Sequence, residues 1–115
     1  MKYVYIAAPM SGMPGEYLAN VARMTAYSRK LIDQGDCPIN PAADLLEGIV
    51  SDTPLTTAQY QARSMDLLRL LAGRDDAEMH VLSFSHRDGT ISDGVLAEYD
   101  ECNRRGIAVV PVVGE

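Results

Sequence analysis

Few histidine or cysteine side chains are present to hold a metal. There are two histidines, His80 and His86, and two cysteines, Cys37 and Cys102, with no CxxC spacing. That excludes a thiolate or histidine zinc site of the usual kind, and no metal or cofactor is expected. Two lone thiols in a chain long enough to build a core read as reduced cytosolic residues rather than a disulfide framework. Long apolar runs are also missing. No stretch approaches the roughly 20 residues of a membrane span, and Met1-Lys2 leads directly into a strand-like run with no signal-type apolar segment. A cytoplasmic protein is therefore expected. Positive charge is scarce: ten Lys and Arg stand against sixteen Asp and Glu, a formal net charge of -6. That speaks against a broad surface for nucleic acid polymers or anionic membranes. A small phosphorylated ligand remains compatible, because backbone N–H groups at a helix start bind phosphate without a basic patch. No internal repeat or low-complexity segment is evident.

What is present fits one small domain of 115 residues. The run YVYIAA at 3–8 is apolar, β-branched and aromatic, and Pro9 and Gly12 follow it. It reads as a buried strand entering a loop, with Tyr3 and Tyr5 on one face. Residues 16–34 place Tyr17, Val21, Met24, Ser28 and Leu31 at helical spacing, with Leu18 and Ile32 beside them and Gly35 as the stop. The segment DCPINP at 36–41 is a short extended piece that its prolines confine to a sheet edge. A short helix at 42–49 is one reading of AADLLEGI. Thr56 with Gln59 forms a capping-box pattern that opens a helix to about Ala72, closed by Gly73. A strand over 79–84, a helix over Asp93 to Arg105, a stop at Gly106 and a strand over 107–113 complete the chain. This alternation predicts a parallel sheet with helices on both faces, and a ligand site outside the carboxyl ends of the strands. Two loops converge there, at 9–15 and 85–94.

The stretch ISDGVLAEYDE at 91–101 holds four carboxylates: Asp93, Glu98, Asp100 and Glu101. At about 100° per residue, Val95, Tyr99 and Cys102 define an apolar stripe with Leu96 on its shoulder. Asp100, Glu101 and Arg104 fall on the opposite, solvated side. Glu98 borders the buried stripe. One reading makes it a rim residue that snorkels or pairs with Arg104 or Arg105. The other makes it a working carboxylate, since burial raises a carboxyl pKa and active sites use such tuning. Ser92 is suited to cap this helix. Gly94 costs about 1 kcal/mol relative to alanine inside it, which makes sense where a ligand approaches the backbone.

With these residues in view, Ser92-x-Gly94-Val95-x-x-Glu98 resembles the signature of the nucleoside 2-deoxyribosyltransferase-like superfamily. It is most similar to the branch of 2'-deoxynucleoside 5'-monophosphate N-glycosidases and their small phage and bacterial relatives. YIAAPMSG at 5–12, PINPAADL at 38–45 and MDLLRLL at 65–71 resemble further elements of that family in the same order. The resemblance implies a single-domain α/β protein, a Rossmann/flavodoxin-like three-layer sandwich on a mainly parallel sheet of four or five strands. It implies Glu98 as a nucleophile that attacks the sugar C1' and forms a glycosyl-enzyme. Asp66 takes the place of the acid that protonates the leaving base or holds the sugar, and Tyr5 that of the hydroxyl orienting the nucleophile. Ala8, Met10, Ser11, Gly12, Ser92 and Gly94 take the place of the substrate cradle, and His86 lies where it could act near the base. Serine rather than aspartate at 92 favours a 5'-phosphate, which a carboxylate would repel. The sequence departs from the family in its first loop, which has no arginine; Arg87 or Arg63 would have to substitute.

From the residues alone, Asp66 also reads as a surface partner of Arg63 or Arg69, and His80 as a structural residue within its strand. The expected activity is release of the base from a deoxynucleoside monophosphate. Base exchange between deoxynucleosides, and a nucleotide-binding module without turnover, are the alternatives. The expected partners are a small deoxynucleotide or deoxynucleoside and further copies of the chain, as a homodimer or higher homo-oligomer.

Overall fold

The computed structural model describes residues 1–8, 14–43, 56–82 and 93–112. Met10, Ser11, Gly12, His86 and Ser92 lie outside the described residues, as do most of 42–49 and the end of the strand expected over 79–84.

Four strands and three α-helices alternate along the chain. They are β1 (Tyr3–Ala7), α1 (Pro14–Asp33), β2 (Cys37–Ile39), α2 (Thr57–Leu71), β3 (Ala77–Leu82), α3 (Asp93–Arg105) and β4 (Ala108–Val112), with a 3-10 turn at Pro41–Ala43. All strand pairs are parallel, in the order β2-β1-β3-β4. The first crossover moves outward from β1 to β2. The second returns across β1 to β3, and the third continues to β4. Right-handed crossovers then require α1 on one face and α2 and α3 on the other. The two cores follow this division. Val4, Ile6, Met24, Tyr27 and Leu31 pack with Ala8 and Leu82 on the α1 side. Tyr5, Leu68, Leu71, Met79, Val95 and Cys102 pack on the α2–α3 side. This is the α/β three-layer arrangement expected from the sequence, and Tyr3 and Tyr5 share the α2–α3 face as strand alternation requires. The strands stay parallel, but the direction of successive connections reverses between β1 and β3, which is where such sheets open a crevice for ligands.

Local chemistry sets the element ends. Thr56 Oγ1 accepts from the Gln59 N–H at 3.1 Å, and Gln59 Oε1 accepts from the Thr56 N–H at 2.8 Å, closing the capping box. At the ends of α1 and α3 the chain leaves through Gly35 (φ +87°) and Gly106 (φ +75°). The following N–H groups of Asp36 and Ile107 donate back to the carbonyls of Leu31 and Cys102, at 3.0 and 2.9 Å. That is the Schellman closure, which needs a left-handed residue, and it turns the chain at once into β2 and β4.

Three expectations shift. β3 begins at Ala77, two residues before the expected start, because Ala77 pairs with Tyr3 at the beginning of β1. On α1 the inward residues are Met24, Tyr27 and Leu31; Ser28 is only partly buried and Ile32 is exposed. The largest correction concerns α3. Tyr99 is 43% exposed and Glu101 only 3%. Glu101 therefore does not lie on the solvated face, and Tyr99 does not belong to the buried stripe. The helix is rolled by about 60° on its wheel, so its inward face runs through Val95, Glu98, Glu101 and Cys102.

Candidate active site

The roll of α3 carries Glu98 from the border of the stripe towards its middle. Its Oε2 is sealed from solvent and has no hydrogen-bond partner among the described residues. Loss of water pushes the Glu98 carboxyl up to about 7, and the Tyr5 hydroxyl pulls it partly back down. Tyr5 comes from the middle of β1 and is fully buried. The strand therefore supplies the hydroxyl and the helix supplies the acid, meeting on the α2–α3 face of the sheet. Near neutral pH, both protonation states of Glu98 are populated. Such a carboxyl can serve as a nucleophile or exchange a proton without a large free-energy cost.

One turn further along α3 lies Cys102. Its Sγ donates to the Met79 sulfur at 3.6 Å. Burial first, then the Glu98 and Glu101 charges, push its thiol up to about 11. At neutral pH it is a thiol, not a thiolate, which argues against cysteine nucleophilic chemistry here.

Glu101 is the contrasting carboxylate. It accepts from Arg105 Nε at 2.7 Å and from Arg104 Nη2, and Arg69 of α2 approaches at 3.8 Å. Hydrogen bonds from Arg105 and Arg104 hold its carboxyl below the usual range against the cost of burial. The arginine pairing foreseen for Glu98 thus belongs to its neighbour. Two glutamates, three residues apart, sit in opposite environments: one is paired by cations and ionised, the other is nearly bare and tuned upward.

Asp66 is placed elsewhere. Its side chain is 69% exposed and pairs with Arg69 at 3.0 Å. It lines a shallow groove of about 600 Å³ between α2 and α3, together with Asp100, Glu101, Arg69 and Arg104. Glu98 is not part of that groove's lining. The surface ion pair, rather than a meeting with Glu98, is what the structure shows for Asp66. Ala8 is buried just beyond the end of β1 and belongs to the α1-side core, so its side chain faces away from Tyr5 and Glu98. Gly94 is the second residue of α3, at the helix start where free N–H groups gather.

Across the sheet, His80 is tied into a chain of polar contacts. Tyr27 Oη lies 2.6 Å from His80 Nδ1, His80 Nε2 lies 3.2 Å from Glu78 Oε1, and Lys2 Nζ lies 3.3 Å from the same oxygen. The chain joins α1 to β3, in keeping with a structural role for His80. Its signal in the sequence was the spacing of Glu78 and His80, two apart on a strand and so on one face.

The candidate site thus consists of a half-buried glutamate, its Oε2 sealed from solvent and its pKa shifted upward, and a buried tyrosine, on the α2–α3 face of a β2-β1-β3-β4 parallel sheet. In comparisons with protein-family models and with curated proteins, the chain matches none.

Proposed function

We propose that the protein is an N-glycosidase that cleaves the base–sugar bond of a 2'-deoxynucleoside 5'-monophosphate through a glycosyl ester on Glu98. The observation that carries this reading is the Glu98 carboxyl itself: its Oε2 is sealed from solvent, no cation pairs with it among the described residues, the Tyr5 hydroxyl acts on it, and it is tuned to about 7. In the first step, carboxylate Oε attacks C1'. The C1'–N bond breaks, and the base leaves with the bonding electrons and takes up a proton. Water then attacks C1', releases 2-deoxyribose 5-phosphate and restores the carboxylate. Tyr5 orients the attacking oxygen. The start of α3, with Gly94, suits a 5'-phosphate held by backbone N–H groups. Assembly into a homo-oligomer belongs to the same proposal, and a monomer by light scattering at working concentration would count against it.

The test is base release from a panel of deoxynucleoside monophosphates, including 5-substituted pyrimidines, read by chromatography. Glu98→Ala is expected to lower release by at least about 10³-fold. Added free base separates hydrolysis from exchange, because only a transferase forms a new nucleoside. One observation favours a second reading, nucleotide binding without turnover: the exposed Asp66–Arg69 pair leaves Tyr5 as the side chain that acts on Glu98 among the described residues. That reading predicts no base release by the wild type and nucleotide binding that survives Glu98→Gln.

A further inference from the structure

Val95 and Cys102 are buried apolar residues of α3. At about 100° per residue they lie on one side of Glu98, about 60° and about 40° away, and Glu101 lies about 60° away on the other. A helix seated by those two apolar residues alone would turn them to the middle of its inward face and leave Glu98 at the border. The observed face is centred nearer Glu98 because Glu101 is drawn in as well, to 3% exposure. A carboxylate goes that far from water only with partners. Arg104 and Arg105 belong to its own helix and turn with it, so they balance its charge at any roll. Arg69 comes from α2, and its Nε stands 3.8 Å from Glu101 Oε1. That contact ties Glu101 to a neighbouring element.

We infer that Glu101 and Arg69 are positioning residues: their contact between α2 and α3 sets the roll of α3 and so holds the Glu98 carboxyl inward, out of water. The meaning of this for catalysis rests on Glu98 being the working carboxyl, whereas the placement itself can be read without substrate. Other charged and titratable groups lie on this side of the sheet. Tyr3 of β1 packs under Arg74, whose guanidinium is 4.5 Å from its ring. Tyr5 and the Cys102 thiol are buried beside Glu98. Arg63 of α2 is half-buried, and Asp66 and Asp100 are exposed. β3 and β4 contribute the apolar Met79, Val81 and Val109. None of these groups is altered in the comparison that tests the inference, so a difference between its two variants is not theirs.

Arg69→Met and Arg104→Met each remove one cation beside Glu101, from side chains that are 53% and 72% exposed, so both variants should fold. The first cuts the link to α2; the second cuts a pair within α3. The Glu98 carboxyl is titrated by carbon NMR on glutamate-labelled full-length protein, with Glu98→Gln to assign its signal. In Arg69→Met the midpoint is expected to fall by at least about one pH unit, because the helix rolls back and water reaches the carboxyl. The sign is decisive, since loss of a nearby cation acting through charge alone raises a carboxyl pKa. In Arg104→Met the midpoint should not fall. A midpoint that stays or rises in Arg69→Met, or that falls as far in Arg104→Met, overturns the inference. Base release is read separately on the wild type. Release with an unmoved midpoint in Arg69→Met removes the positioning role and leaves the glycosidase, whereas a fallen midpoint without any release does the reverse.

Discussion

Glu98 and Glu101 occupy one helix face and answer to opposite physics. Burial alone raises Glu98, whereas charge-assisted hydrogen bonds from arginine overcome burial at Glu101. Among the described residues Tyr5 moderates Glu98, and it lowers the pKa. Tyr5→Phe should therefore raise the Glu98 pKa further. If Glu98 is the nucleophile, base release requires the carboxylate. The rate of the wild type should then rise with pH through about 7, and the midpoint in Tyr5→Phe should move to higher pH. A pH profile of kcat/KM on both proteins checks this. A wild-type rate that falls through the same range would instead make Glu98 an acid.

At the scale of elements, caps and ion pairs can be ranked. The Thr56 capping box satisfies two N–H groups at the start of α2. Thr56→Ala is expected to cost about 1 kcal/mol in chemical denaturation, with the slope unchanged. The two arginine-bound acids of the α2–α3 pair should differ. Asp66 is exposed, so Asp66→Ala should change stability by no more than about 0.5 kcal/mol. Glu101 is buried and holds two arginines of its own helix while Arg69 approaches from α2. Glu101→Ala should lower Tm clearly more than Asp66→Ala in the same buffer. Equal effects would show that the Glu101 cluster contributes no more than a surface pair.

For the whole molecule, Glu98 sets a pH dependence of stability. Its folded pKa, about 7, lies above its ordinary value of 4.5. The folded state therefore holds the Glu98 proton more tightly than the unfolded chain. The stability this contributes is complete below about pH 4.5 and is lost as pH rises through about 7. The difference corresponds to on the order of 3 kcal/mol. Glu98→Gln removes the titration, so the gap in Tm between variant and wild type should widen in the variant's favour from pH 5 to pH 8. A constant gap would show that Glu98 is not buried in the way described. No helix among the described residues is long and apolar enough to cross a bilayer.

Periodicity and end signals carried most of the architecture. Alternation placed Tyr3 and Tyr5 together, prolines marked β2 as an edge strand, and Thr56, Gly35 and Gly106 marked helix ends where they occur. These are local effects, decided by backbone sterics and neighbours within a few residues, and so the sequence alone determined them. It also singled out Glu98 as a carboxylate at the margin of an apolar stripe. The roll of α3 was not legible. A helical wheel says which residues share a face, but the direction of that face follows from packing against α2 and the sheet. There Val95 and Cys102 enter a core shared with Met79 and Leu68. The same packing brought Arg69 of α2 towards Glu101, left Asp66 facing solvent and placed Tyr5 where its hydroxyl lowers the Glu98 pKa. Whether a carboxylate is a solvated charge, a paired one or a bare buried one depends on groups distant in sequence, and only the tertiary structure brings them within reach.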